Sequence, residues 1–337
     1  MIKSGIFTAA LCAAAVCFAA PASADDSSET AAAFASFQAY QSKNQRLQDI
    51  GRKLAIGNAQ YCKNTVPTIG ITLMDVRGFA RPSQMRQALK WGGDIGVATV
   101  TGPHEYYWPG RVVKIITPPV PKVNLELSAI DDQPINAWPA QSTLDWKRLK
   151  RVHDAIDASL ADNGSVFLTN AYGMSVEAVG TPSCATRFEV KAGGKKALAD
   201  GTRVQFGSKF PGFSYAEDEF AAVIAHELAH NVLEHRIWLD AKGRKRRAVR
   251  ATEREADRLM PWLIANAGYD PQAAVRFMQR WGPKHSKGIL RARTHDGWDE
   301  RVEIIAAEAE LVEAQMRSTG TADWPQFFRR DIAPLGD

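Results

Sequence analysis

Past its first two dozen residues, this chain has no stretch of roughly 18 consecutive apolar residues, the least that a membrane-spanning helix needs. The N-terminus is read as a secretion leader, residues 1–24. Lys3 gives a basic start, Ile6 to Ala20 an apolar core, and Ala22-Ser23-Ala24 a small-residue cleavage site. The core is Ala-rich and too short for a span. Neither Cys12 nor Cys17 follows a Leu-Ala-Gly-like lipobox, which argues against a lipid anchor. There is no internal repeat, and in particular no TPR array. The expectation is an exported, periplasmic protein, soluble once the leader is removed.

Cysteine is scarce. Of four cysteines two lie in the leader, leaving Cys62 and Cys184. In an oxidising compartment an isolated pair reads as a disulfide. A loop of about 120 residues would gain about 4–5 kcal/mol from it on the chain-entropy model, as an upper figure. The leader carries one Lys and no acid, so a formal charge of +5 falls only to +4. The basic excess is local: Lys242, Arg244, Lys245, Arg246, Arg247, Arg250 and Arg254 crowd one stretch. Such a run is ordinarily a solvated loop. The functional alternatives are peripheral contact with an anionic membrane surface, or an acidic substrate. Nucleic acid is not an expected partner of an exported protein.

Glycine and proline are both missing from Phe220 to Arg236, and Ala-rich stretches surround two histidines there. The expectation is a helix, started by a Ser214/Glu217 capping box with Asp218 and Glu219 in its first turn. Within it stands His226-Glu227-Leu228-Ala229-His230, the HExxH pattern. Residues four apart on a helix share a face about 5–6 Å apart, so both imidazoles can reach one Zn²⁺. Glu227 projects about 100° further round, placed to hold a water rather than the ion. The bland alternative is a helix whose histidines are merely buried and hydrogen-bonded.

A catalytic zinc takes three protein ligands and keeps one position open. Downstream, Glu253-Arg254-Glu255-Ala256-Asp257 opens a second helical run through Leu259, Leu263 and Ile264. Glu253 is the third-ligand candidate. Asp257, one turn on, can accept the free N–H of a ligand histidine and fix its tautomer. Glu255 projects elsewhere. The metzincin extension HExxHxxGxxH is excluded, because Leu233 and Arg236 stand where Gly and His would be needed. His235 is one residue out of register and, on a continuous helix, points away as a surface or cap histidine. Pro261 is expected to kink or end the second helix.

His226–His230, the E-x-x-A-D frame Glu253…Asp257 and Ala267-Gly268-Tyr269-Asp270-Pro271 together resemble the gluzincin peptidases of the HtpX and CAAX-prenyl-protease type. The likeness is to their soluble, secreted bacterial branch. Asp218-Glu219-Phe220-Ala221, the stretch Arg46-Leu47 through Ala59-Gln60-Tyr61-Cys62, and Thr294-His295 with Arg301 agree with it. The resemblance implies that His226, His230 and Glu253 ligate one Zn²⁺ per chain and that Asp257 backs a ligand. It places His295 near the ion and Arg301 at the developing oxyanion or the substrate, so the catalytic set is Glu227, His295 and Arg301. Asp296 departs from the family's Pro after the distal histidine.

The implied activity is hydrolysis of peptide bonds by a zinc-activated water, with Glu227 as general base. The substrates would be unfolded or damaged envelope polypeptides. The alternative is a zinc-retaining binding or chaperone module, held latent with His295 in the open position.

The expected fold class is α+β. A mainly helical zincin-type peptidase domain with a small sheet would be interrupted by a β-rich, PDZ-like insert. Residues 25–65 supply an N-terminal helix, with Phe37, Tyr40, Leu47, Ile50 and Leu54 on one stripe, and 184–318 the peptidase domain. Residues 66–183 form the insert. There Leu125–Ile135 resembles a PDZ central strand and turn, Leu144–Leu160 reads as a helix, and a hairpin folds about Tyr172-Gly173. No clean Gly-Φ-Gly-Φ carboxylate loop is present. Thr202 to Phe206 alternates as an edge strand able to pair an extended substrate. Residues 299–317 read as a further helix, and 319–337 as a peripheral tail.

Overall fold

A computed structural model describes residues 24–78, 82–108, 111–113, 125–135, 146–191, 193–285 and 296–333. Residues 1–24, read above as a leader, therefore lie outside the described residues except for Ala24, and so does His295. The chain is α+β, as expected. No helix among the described residues is long and apolar enough to cross a membrane.

The first helix, α1 (Ala24–Gly57), divides its apolar stripe between two packing partners. Leu47, Ile50 and Leu54 are buried in the main core, whereas Phe37 packs with Met74, Val76, Met85 and Trp91. Tyr40 packs against the main core and donates its hydroxyl to the Val190 carbonyl, 2.6 Å away.

The chain then runs through β1 (Thr65–Thr68), β2 (Gly70–Asp75), α2 (Pro82–Leu89), β3 (Ile95–Thr101), β4 (His104–Trp108) and β5 (Arg111–Val113). There follow β6 (Leu125–Glu126), β7 (Ala129–Ile130), β8 (Gln133–Pro134), α3 (Trp146–Asn163), β9 (Ser165–Thr169), β10 (Ser175–Val179) and β11 (Thr181–Cys184). One sheet has the order β5-β4-β10-β9-β7-β8 and a second the order β2-β3-β6. The expected hairpin is β9–β10, turned at Gly173 with φ +72°. Val152, Ile156 and Leu160, four apart on α3, close a core over Val166, Leu168 and Val176. This segment thus has a hydrophobic cluster of its own. Its two ends pair as β1 with β11, antiparallel, and the Cys62–Cys184 disulfide spans 122 residues beside them.

The remainder begins with β12 (Arg187–Lys191), β13 (Ala197–Ala199) and β14 (Arg203–Gly207). These strands order as β12-β14-β13, with β12 and β14 parallel. The strand read from Thr202 to Phe206 is therefore central, and β13 forms the sheet edge. The reason lies in burial: Val204 and Phe206 are both fully covered, which a one-sided edge strand does not need.

Among the described residues six helices follow: α4 (Glu217–Val232), α5 (His235–Lys242), α6 (Arg246–Asn266), α7 (Gln272–His285), α8 (Trp298–Thr319) and α9 (Trp324–Phe327). On α4, Phe220, Ala221, Ile224, Ala225 and Leu228 are fully buried, and the small alanines let neighbouring helices approach closely.

Three expectations are corrected here. Ser214 does not cap α4: its hydroxyl donates to the Pro211 carbonyl in a preceding 3-10 turn, and the N-cap is Ala216. Pro261 does not end α6, which also starts two turns before Glu253. Only one backbone donor is lost at a proline, and burial of Leu259, Met260, Trp262 and Leu263 outweighs it. Nor is the tail peripheral, since Trp324, Phe328 and Ile332 are buried.

Candidate metal centre

Two helices place the donors. The one-turn spacing on α4 sets the Nε2 atoms of His226 and His230 3.3 Å apart. Glu253, from α6, faces both, with Oε2 3.5 Å from His226 Nε2 and Oε1 3.6 Å from His230 Nε2. One ligand atom from each residue falls within 4.8 Å of the others. The three side chains keep 11%, 15% and 20% of their surface open, so a ligand can enter. The sequence reading brought these residues together, and the structure does the same.

Behind His226, its Nδ1 lies 3.0 Å from Asp257 Oδ1. Arg301, from α8, grips that carboxylate with Nε and Nη2 at 2.6 and 2.7 Å. Arg301 does line the cleft, but two of its three nitrogens are engaged in orienting Asp257. Burial raises the Asp257 carboxyl, yet Arg301 and the His226 hydrogen bond outweigh it and hold it at about 2. Burial also disfavours charge on His226, where hydrogen bonds to Asp257 and Glu253 win and raise the imidazole; at His230 burial wins and lowers it. Glu227 is pushed up by burial to about 7, with His226 opposing and Glu253 adding.

His235 is not a surface residue. Its side chain is 1% exposed and its Nδ1 lies 2.9 Å from His230 Nδ1. Because α4 ends at Val232 and Glu234 takes a left-handed φ of +57°, the chain doubles back and the helical-wheel argument fails there. His235 Nε2 lies 3.0 Å from Glu255 Oε2. Sequence reasoning missed this group because a left-handed turn at Glu234 carries no glycine signal.

The donors open onto a cleft of about 850 Å³. Lys195, Lys196 and β13 line it, as do Phe210, Val223, Phe277, Met278 and Trp281, and further Asp296, Trp298 and Arg301. Of the basic stretch, residues 242–247 are exposed, while Arg244 and Arg250 border the cleft. It is less a loop than the end of α5 and the start of α6. Arg254 pairs with Asp296 at 2.9 Å.

No family model, curated protein or solved structure matches the chain.

Proposed function

We propose that the chain is a zinc metalloendopeptidase of the gluzincin type, akin to the HtpX and CAAX-prenyl-protease peptidases. On this reading it acts on unfolded polypeptides of the cell envelope. The convergence of His226, His230 and Glu253 on one point, with Glu227 beside it in an open cleft, carries the reading. Two imidazoles and a carboxylate are the donor set of a catalytic zinc that keeps one position open. Bound there, the ion would acidify a water to a pKa of about 7 and polarise a substrate carbonyl.

The chain's own residues supply the rest. Asp257, steadied by Arg301, fixes the His226 ring. Glu227 is poised near neutrality, where a carboxylate can both take and return a proton. It takes one from the attacking water at a carboxylate oxygen and delivers it to the leaving nitrogen. The β13 edge offers main-chain hydrogen bonds to an extended peptide, which makes recognition tolerant of sequence. The recess of Phe210, Phe277, Met278 and Trp281 suits a large apolar side chain beside the scissile bond. Export through residues 1–24, a PDZ-like character for residues 66–183 and peripheral membrane contact through Lys242–Arg254 belong to the same proposal.

The test uses the zinc-loaded full chain and unfolded casein. Glu227→Gln should keep one zinc per chain and lose at least about 100-fold in cleavage rate, the usual scale of general-base catalysis. Cleavage by that variant at the wild-type rate would overturn the assignment.

A further inference from the structure

Each of the two candidate ligand histidines uses Nε2 toward Glu253, and each has its Nδ1 engaged elsewhere. For His226 the partner is Asp257. For His230 it is a second histidine, and two ring nitrogens 2.9 Å apart can bond only if one carries the proton and the other a lone pair.

The remaining contacts settle which. Glu255 is fully buried and accepts from Arg330 Nε at 2.8 Å, from the Asp331 amide at 2.5 Å and from the Ile332 amide at 2.9 Å. A carboxylate so surrounded by donors is ionised and only accepts, so His235 Nε2 must donate to it. Arg330 already balances the Glu255 charge, so His235 serves as a neutral ring with its lone pair at Nδ1. His230 then donates from Nδ1 and keeps its own lone pair at Nε2, the nitrogen facing Glu253.

On the proposed metal reading, we infer that His235, Glu255 and Arg330 form a positioning relay that fixes His230 in its metal-binding tautomer. The docked C-terminal segment thereby belongs to the metal site. The relay is the counterpart of Asp257 and Arg301 behind His226. Its far end is also tied to α4, because Arg330 Nη2 donates to the Leu233 carbonyl at 3.3 Å. Docking of residues 330–332 and retention of the ion are thus coupled, and coupling of this kind runs in both directions.

The test measures zinc affinity of the full chain by chelator competition, with apo-protein folding followed by circular dichroism. His235→Phe should weaken zinc binding about 10–100-fold, the usual loss when the partner of a ligand histidine is removed. His235→Gln can donate to Glu255 and accept from His230, so it should stay close to wild type. Arg330→Met, remote from the ion, should shift affinity in the same direction by less. Nitrogen NMR of ¹⁵N-histidine protein should show the zinc-bound His230 protonated at Nδ1 and His235 protonated at Nε2.

A folded His235→Phe variant that binds zinc as tightly as wild type, or the opposite tautomers, would overturn the relay. Should His235→Phe not fold, Arg330→Met and the tautomers decide. If wild type holds no stoichiometric zinc, the metal centre itself falls and the relay with it. Zinc bound normally with unmoved variants sinks the relay alone.

Discussion

Single side chains set the chemistry of this protein, and some of them act only through a turn. Asp200 is one. Its carboxylate accepts from the Thr202 and Arg203 amides at 3.1 and 2.8 Å and from Arg203 Nε at 2.9 Å, closing the turn between β13 and β14. Burial works to raise this carboxyl, but the hydrogen bonds outweigh it and lower it. A depressed folded-state value means the contribution to stability is full above the unfolded value of about 4 and disappears as pH falls through the folded one. Asp200→Asn should therefore lower the Tm at pH 7, with the gap to wild type closing below about pH 4. A gap unchanged between pH 7 and pH 3 would contradict this.

At the same scale, His226, His230, Glu253 and Asp257 were legible because helical spacing fixes which side chains share a face. His235 was not, because its position depends on Glu234 adopting a backbone conformation that non-glycine residues rarely take. Arg46 was legible only as part of a resemblance. In the structure its Nη1 and Nη2 donate to the Phe213 and Tyr215 carbonyls, both at 2.6 Å, clamping the approach to α4.

Among the elements, α1 is the organiser. It touches β12, α4 and the strands β2 and β11, and at its C-terminal end it meets the end of α6 with almost no gap. A Cβ on Gly57 would lie 2.5 Å from the Asn266 carbonyl oxygen and 2.9 Å from its carbon, both backbone atoms that cannot swing aside. Asn58 reinforces the contact by donating to the Leu263 carbonyl at 2.9 Å. Gly57→Ala should thus destabilise the fold by about 1–3 kcal/mol through overpacking, even though alanine is the better helix former. Urea unfolding measures it, and a variant more stable than wild type would refute the close approach.

Helices were the readable elements: α1 and α3 carry apolar residues at helical spacing, and the stretch of α4 lacks glycine and proline and is rich in alanine. Strand order was not readable. Alternation shows that Arg203–Gly207 is a strand but not that β13, only three residues long, takes the edge beside the cleft. Pro261 was expected to kink or end α6, and of these two outcomes the ending does not occur, because the surrounding contacts carry the helix through to Asn266.

For the molecule as a whole, three hydrophobic clusters share one chain among the described residues, the largest built from residues on both sides of the segment 66–183. The discontinuity was foreseeable from the apolar stripe of the N-terminal helix, which was expected to pack against the helices that follow residue 184 and does so. The tail was not foreseeable. Its docking rests on Trp324, Phe328 and Ile332, which are four apart, and on amides that reach Glu255, but α9 ends at Phe327 and the residues beyond it are not helical, so the spacing alone does not announce the docking. Replacing both cysteines with alanine should lower the unfolding free energy by up to about 4–5 kcal/mol, as read from urea melts of the oxidised protein. Equal midpoints for wild type and variant would remove the bond from the account of stability. The Cys62–Cys184 bond has a practical consequence as well. A nick anywhere between residues 63 and 183 leaves both fragments covalently joined. Cut and intact chains would then differ by only one water until thiol is added, and a cut within that stretch would go unseen on a non-reducing gel.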